Sequence, residues 1–411
     1  MSQTVLIVGG GAAGMLAALT ALEDPQNTVL LSERQTRVGR KLLSTGNGRC
    51  NLSNLHAAPH HYHGRDPDFC RYALEQFPVS STLAYFAALG LETVTEPDGK
   101  IYPRSNMANS VLDVLRYALE HPRLHLLSGD GVADLRKKGG TFAVTFLSGE
   151  RYTNIDKVIL ACGGAAGKKL GGSKSGYHLL SQLGHSCTEL LPSLTQIKTD
   201  PTYVKALKGV RADAHVRLRK DGQTVQDSFG EVQFTDFGLS GPEAFTLSRA
   251  AATGGENQEL ALDFFREYGD SVLLDMLQEK RANLPALAAE DLFSGMLQSR
   301  LGKMIVKRAG LKYQTPLQSL NDEQLLACVK IAKWFTLAVE GVMGFDSAQV
   351  TAGGVSTREF DSRTLESTIS PGLFVCGEVL DIDGDCGGFN LQWAWSSGYV
   401  AGMLGKQEEP R

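Results

Sequence analysis

Residues 4–33 constrain this chain more than any other stretch. Residues 4–8, Thr-Val-Leu-Ile-Val, are short, β-branched and apolar throughout, the pattern of a buried strand. They run directly into Gly9-Gly10-Gly11-Ala12-Ala13-Gly14, and the Ala- and Leu-rich residues 15–22 predict a helix that Asp24-Pro25 stops before a second apolar strand at 28–31. Gly9, Gly11 and Gly14 match Gly-x-Gly-x-x-Gly, and each spacing has a mechanical reason. Gly9 permits the tight turn, Gly11 lets a pyrophosphate approach the backbone, and Gly14 lets the helix pack close to the strand. The helix N-terminus offers N–H groups to phosphates, and Glu33, closing the second strand nineteen residues past Gly14, is placed to accept hydrogen bonds from a ribose diol. The unit predicts a dinucleotide site.

A chain of 411 residues exceeds the size at which one core keeps growing, so two or more domains are expected. The net charge of −4, without basic runs, gives no reason to expect nucleic acid or an anionic membrane as partner and points to a small molecule. No feature specifies an oligomer. Residues 4–22 carry no charge, but the three successive glycines and the lack of a basic leading segment argue against a membrane span or signal peptide, so the chain reads as cytoplasmic. Seven cysteines, odd in number and without a Cys-x-x-Cys pair, read as reduced thiols, with neither a disulfide framework nor a zinc site, and disfavour a dithiol reductase.

Beyond Glu33, small residues and cations alternate through residues 39–54, a loop suited to lie along a phosphate-bearing cofactor, with Arg40 and Lys41 supplying charge. His56, His60, His61 and His63 lack Cys or carboxylate partners at ligand spacing, and Pro59 and Gly64 mark their stretch as a surface loop, so no metal is expected. Helices are predicted over 71–77, 80–89 and 107–119, and strands over 92–95, 100–102, 124–127, 131–137, 141–147 and 157–160, the 131–147 hairpin being an insertion into a parallel sheet. Val158 to Gly164 reads as a second buried strand ending in Gly163-Gly164 beside the first glycine turn, followed by a helix at 177–183.

The pattern changes at Leu191-Pro192. Residues 195–263 are short alternating segments, the signature of an antiparallel barrel or sandwich; residues 268–333 are helical, capped at Asn321; and 334–339 return as a strand. The fold class is therefore α/β, a Rossmann-like domain with an inserted β-barrel plus helices: residues 1–190 and 341–411 form the nucleotide domain around an insert at 191–340. Two further glycine-rich returns, Val350 to Val355 and Gly372 to Glu378, lead into Asp381 to Gln392, where Gly387-Gly388 open a helix over 391–404. A helix N-terminus there can stabilise negative charge on a bound cofactor.

With these stretches together, the chain resembles the bacterial flavoprotein family that includes YhiN, the BaiN bile-acid reductase and aminoacetone oxidase, over nearly its whole length. The most specific matches are residues 39–54, Gly230-Glu231-Val232-Gln233-Phe234-Thr235 with Gly238-Leu239-Ser240-Gly241-Pro242, and 350–392. Gly353-Gly354 and Gly377-Glu378 are similar, more distantly, to fumarate-reductase-type flavoproteins. The resemblance implies the fold of a two-dinucleotide-domain flavoprotein and FAD bound through Gly9, Gly11, Ala13, Gly14, Glu33, Lys41, Val132, Gly163, Gly377, Asp381, Asn390 and Leu391. The residue reading adds Arg40, Gly164, Glu378 and Gly388. Ser175 and Cys376 depart from the family pattern of Asp and Ala.

The function expected is an FAD-dependent oxidoreductase acting on a small molecule, reducing an unsaturated substrate with NAD(P)H as a transient electron donor. The alternatives are an amine oxidase using molecular oxygen, an RNA-modifying enzyme, and a flavin-binding regulatory protein. Arg49, Asn51 and Arg104 are the candidate catalytic residues.

Overall fold

The central strand, Gln3–Val8, has Val5, Leu6 and Ile7 fully buried, as a parallel strand covered on both faces requires. A computed structural model describes residues 2–406. Around this strand lies a five-stranded parallel sheet in the order Leu373–Val375, Lys157–Leu160, Gln3–Val8, Asn27–Glu33, Leu124–Ser128. The described chain separates into two compact units, one holding the residues up to Leu191 and from Gln349 onward, the other Pro192–Ala348.

In the first unit the fingerprint helix, Ala12–Ala21, is buried almost all round because it lies against the sheet and the C-terminal helix, Phe389–Gly402. Glycines make that contact close. A Cβ on Gly398 would stand 2.5 Å from Ala13 O, and one on Gly402 would stand 2.7 Å from Ala17 O. Both pairings advance by four residues, so the two helices run parallel.

The excursion between Leu124–Ser128 and Lys157–Leu160 forms its own antiparallel sheet of Val132–Lys138, Thr141–Phe146 and Arg151–Ile155. The reading of residues 131–147 as a hairpin holds: Gly139 and Gly140 turn it at φ 58° and 97°. Its strands pair with one another and stay out of the parallel sheet's ladder. The third strand was missed in the sequence, since Arg151–Ile155 is largely polar and exposed and shows no clear alternation.

The second unit is a closed six-stranded antiparallel barrel, ordered Ile197–Thr199, Gly238–Ser240, Gln223–Phe234, Arg211–Lys220, Gln258–Asp263, Phe335–Val342. Along Arg211–Lys220, Ala214, Val216 and Leu218 fill the core while Arg211, Asp213, His215, Arg217 and Arg219 alternate outward. The helices Asp270–Asn283, Ser299–Arg308 and Asp322–Lys333 follow, the last opened by an Asn321/Gln324 capping box. One helix overturns the all-strand reading of residues 195–263. Pro242–Thr253 has Pro at its first turn and an Ala-rich body, a start signal hidden behind the Gly238–Ser240 strand.

A buried network fixes the segments flanking the Leu373–Val375 strand. The His185 side chain is fully buried, with Nδ1 2.9 Å from Glu359 Oε2 and Nε2 3.0 Å from Ser367 Oγ, and its ring is stacked on Phe360. Burial, opposed by the Glu359 hydrogen bond and charge, holds the imidazole below its ordinary value. A depressed histidine contributes stability that is present above the unfolded value and is lost as pH falls toward the folded one, because the unfolded chain takes up a proton that the fold refuses. Stability should therefore decline as pH falls below about 6.5. Urea unfolding of the His185→Gln variant should show a flatter decline over that range, and an unchanged slope would remove His185 as its source.

Candidate functional site

The three fingerprint glycines take three different environments. Gly9 turns at φ 110°, and a Cβ there would overlap Ala161 O. A Cβ on Gly14 would overlap Gly9 O, so helix and strand approach only because it is absent. At Gly11 a Cβ would meet no protein atom within 4 Å. Gly11 is also the N-cap of Ala12–Ala21, whose first turn has no side-chain cap and no acidic residue. An uncapped N-terminus beneath an open glycine is an anion cradle that any side chain would fill.

At the end of the second strand Glu33 is held from both sides: Oε2 accepts from Gly10 N at 2.9 Å and Oε1 from Gln35 N at 2.7 Å. Each oxygen keeps a further lone pair for a diol. Gly129 N donates to the carbonyls of Glu33 and Gln35, and a Cβ on Gly131 would touch Arg34, which brings Val132 to the same corner. Arg40 reaches Gln35 Oε1 at 2.8 Å and is exposed.

Lys41 Nζ pairs with Glu378 Oε2 at 2.7 Å, while Glu378 Oε1 accepts from Thr351 N at 2.8 Å. Gly164 packs against the same Thr351 and Glu378 side chains. Glu378 thus ties three segments together, and Lys41 faces the site as half of an ion pair. Gly163 is open, with nothing within 4 Å of a Cβ, and Gly377 has only Ala13 Cβ nearby, at 3.0 Å. Burial pushes the neighbouring Cys162 thiol up to about 12, so it is no thiolate at neutral pH.

At the start of the C-terminal helix, Gly388 lies against Ser53 O, and a Cβ on it would stand 2.8 Å from Asn51 Oδ1. Asn51 is buried, and its Oδ1 has no hydrogen-bond partner. Asp381 is buried, with Oδ2 3.3 Å from Arg65 N. The Asn390 side chain is spent on its own loop, accepting from Gly384 N at 2.8 Å and donating to Gly384 O at 2.7 Å, which leaves its backbone and that of Leu391 for a ligand.

The three candidate catalytic residues divide. Arg49 binds Glu96 at 2.6 Å and Asn106, and lies 3.9 Å over the Tyr102 ring. Arg104 pairs with Glu92 at 3.5 Å on the surface. Both cations brace the hairpin of Thr93–Thr95 and Lys100–Pro103. Only Asn51 brings an unused buried polar atom toward the glycine-lined region. Sequence reasoning missed Thr351, and it left His61, His63 and Asp385 apart, although the structure joins them beside Gly387-Gly388; their only signal was the acidic Asp381 to Asp385 run before the glycine pair.

An open pyrophosphate cradle, a fixed diol acceptor, open glycines at 163 and 377 and an orphaned acceptor at Asn51 fit a flavin dinucleotide. The model of the HI0933-like protein Rossmann domain matches residues 3–404. The chain belongs to the HI0933-like family. It is 38% identical over 400 residues to the 3-dehydro-bile acid delta(4,6)-reductase of Clostridium scindens, covering 96% of this chain and 97% of the relative. It is 28% identical to the ribosomal RNA dihydrouridine synthase of Escherichia coli, over 96% of each chain, and 24% identical to that of Haemophilus influenzae, over 97% of each. The protein is an FAD-dependent oxidoreductase. Among the described residues no helix is long and apolar enough to cross a membrane, and no three His, Cys, Asp or Glu side chains form a metal-binding group.

The orphaned Asn51 oxygen yields a prediction with two signs. An unsatisfied buried acceptor costs about 1–3 kcal/mol, so Asn51→Leu should leave the apoprotein at least as stable as the native one. If a cofactor donor satisfies that oxygen, the same change should weaken FAD binding by about tenfold, or about 1.4 kcal/mol. Thermal melts of the apoprotein and FAD titration by fluorescence quenching check the two halves.

Proposed function

We propose that this enzyme reduces a carbon–carbon double bond conjugated to a carbonyl in a small molecule, with NAD(P)H as a transient electron donor. The observation that carries the reading is the 38% identity to a 3-dehydro-bile acid delta(4,6)-reductase over 96% of the chain. The dihydrouridine synthases support the same bond chemistry, since a uracil becomes dihydrouracil by gaining hydrogen across its double bond next to a carbonyl. Bound FAD supplies hydride transfer, and the protein binds, orients and excludes side reactions. Only one dinucleotide fingerprint is present, and FAD takes it, so the nicotinamide binds briefly on a less specialised surface.

A second reading, RNA as the substrate, has the two dihydrouridine synthases in its favour. Arginines on and beside the barrel argue for a small molecule, because they are already paired: Arg211 with Glu231 at 3.3 Å, Arg219 with Glu259, and Arg266 with Asp213 at 3.2 Å. Paired cations release few counterions to a phosphate backbone. The buried thiols Cys50, Cys70 and Cys328, each pushed up to about 12, supply no ready nucleophile and suit a reducing cytoplasm.

The deciding experiment is anaerobic stopped-flow absorbance. NADH or NADPH should bleach the flavin, and a 3-oxo-4,6-diene bile acid should restore its colour faster than oxygen does. Restoration by ribosomal RNA alone would move the substrate to RNA. Bleaching by an amine and by neither nicotinamide, followed by fast reoxidation in oxygen, would make the protein an amine oxidase.

A further inference from the structure

His61 and His63 converge on one carboxylate. Residues 62–63 pair antiparallel with Asp383–Gly384, placing Asp383 opposite His63 and Gly384 opposite Tyr62, and Asp385 N donates to His61 O at 3.0 Å. On this ribbon His63 Nε2 lies 2.6 Å from Asp385 Oδ1, and His61 Nδ1 lies 2.9 Å from Asp385 Oδ2. Burial raises Asp385, but the two imidazole hydrogen bonds outweigh it and hold the carboxyl below the ordinary range. Each ring therefore gives one N–H to a carboxylate.

The cluster is anchored to the first turn of the C-terminal helix. The His61 ring stacks on Phe389 at 4.2 Å, Tyr62 Oη donates to Phe389 O at 3.0 Å, and the Asn390 amide grips Gly384. That helix runs parallel to the fingerprint helix with Gly398 against Ala13. Phe389 precedes Gly398 by nine residues, which projects its first turn about 13 Å beyond the level of Ala13, on the side toward which the fingerprint helix presents its free N–H groups. A dinucleotide with its pyrophosphate on the fingerprint and extended along this helix would direct its ring end toward this turn.

We propose that His63, oriented by Asp385, is the proton donor of the conjugate reduction, a role that rests on the function proposed above. The hydride, carrying two electrons from the reduced flavin, goes to the carbon far from the carbonyl. The imidazolium gives its proton to the carbon next to the carbonyl, so the double bond becomes a saturated CH–CH unit, the flavin ends oxidised and the imidazole ends neutral. Solvent then returns the proton, since the His63 side chain is 35% exposed. His63 is preferred to His61 because the His61 ring is covered by Phe389 and His60, both at 4.2 Å. The charged groups around the pair include Asp385, His60, Asp383 opposite His63 on the ribbon and, across the glycine loop, Lys100, itself held by Asp98 at 2.6 Å.

Three measurements test this. In the apoprotein labelled with 15N-histidine, the His63 and His61 protons bonded to Asp385 should be protected and shifted downfield, and both should vanish in Asp385→Asn. In the holoenzyme, His63→Gln, whose amide can still reach Asp385, should bind FAD normally. Its flavin should be reduced by NADPH within threefold of the native rate. Its reoxidation by a 3-oxo-4,6-diene bile acid should slow at least a hundredfold. His61→Gln should slow the same step by less than tenfold. If the native enzyme is reoxidised by the dienone and His63→Gln matches it within threefold, the proton donor lies elsewhere and the reductase reading stands. If no enone reoxidises the native enzyme, both fall.

Discussion

The Gly11→Val protein should purify folded and colourless. A side chain at Gly11 meets no protein atom within 4 Å, and its backbone φ of −80° suits any residue, so the substitution asks nothing of the fold. It fills the space above the first turn of Ala12–Ala21 instead, where a pyrophosphate must approach the N–H groups. FAD affinity should fall by at least a hundredfold, about 3 kcal/mol, while the melting temperature stays within a few degrees of the native apoprotein. Gly14→Val provides the contrast. Its Cβ would overlap Gly9 O, so helix and strand cannot keep their distance, and the protein should fail to fold or melt far lower. Absorbance at 450 nm per protein, with circular-dichroism melts, separates the outcomes. Stoichiometric FAD in Gly11→Val would remove this cradle from the cofactor site.

The contrast also marks what a sequence can disclose. The tight turn at Gly9 and the close packing at Gly14 were legible because a strand, a turn and a helix within a dozen residues fix one another's geometry. The barrel was legible from alternation, since Ala214, Val216 and Leu218 face one way by the pleat alone. Pairings between distant segments were not. Arg49 looked like a group for the ligand because its partners, Glu96 and Asn106, are 47 and 57 residues away, and no local rule brings them to it. Lys41 reads as a free cation until Glu378, 337 residues on, is seen to pair with it. His61 and His63 read as a surface loop, because the carboxylate that orders them is 324 and 322 residues downstream.

The position of the C-terminal helix depends most on one amide, Gln392. Its side chain is fully buried, one turn into Phe389–Gly402. Oε1 accepts from Ser53 Oγ at 2.6 Å, and Nε2 lies 3.1 Å from Phe77 O and 2.9 Å from both Thr82 Oγ1 and Ser396 Oγ. The helix's first turns are thereby tied to the strand that follows Asn51 and to the helices at Arg71–Gln76 and Val79–Ala88. Gln392→Leu keeps the volume but leaves the Ser53 hydroxyl without its acceptor and Thr82 Oγ1 without the amide N–H, while Phe77 O keeps the Ser396 hydroxyl at 2.7 Å. With about 1–3 kcal/mol for each buried group so orphaned, the variant should lose about 3–5 kcal/mol of stability. Gln392→Glu should be no milder, because an ionised carboxylate has no N–H to offer Phe77 O and is buried without a cation. The flavin should report the same change. If the helix start drifts, Gly388 and Asn51 no longer meet, and FAD should dissociate more readily at temperatures where the protein is still folded. Urea unfolding gives the first quantity, and flavin fluorescence during a slow thermal ramp gives the second. A Gln392→Leu protein that unfolds within about 1 kcal/mol of native, with flavin release and unfolding still coincident, would mean that packing at Gly398 and Gly402 alone sets this helix.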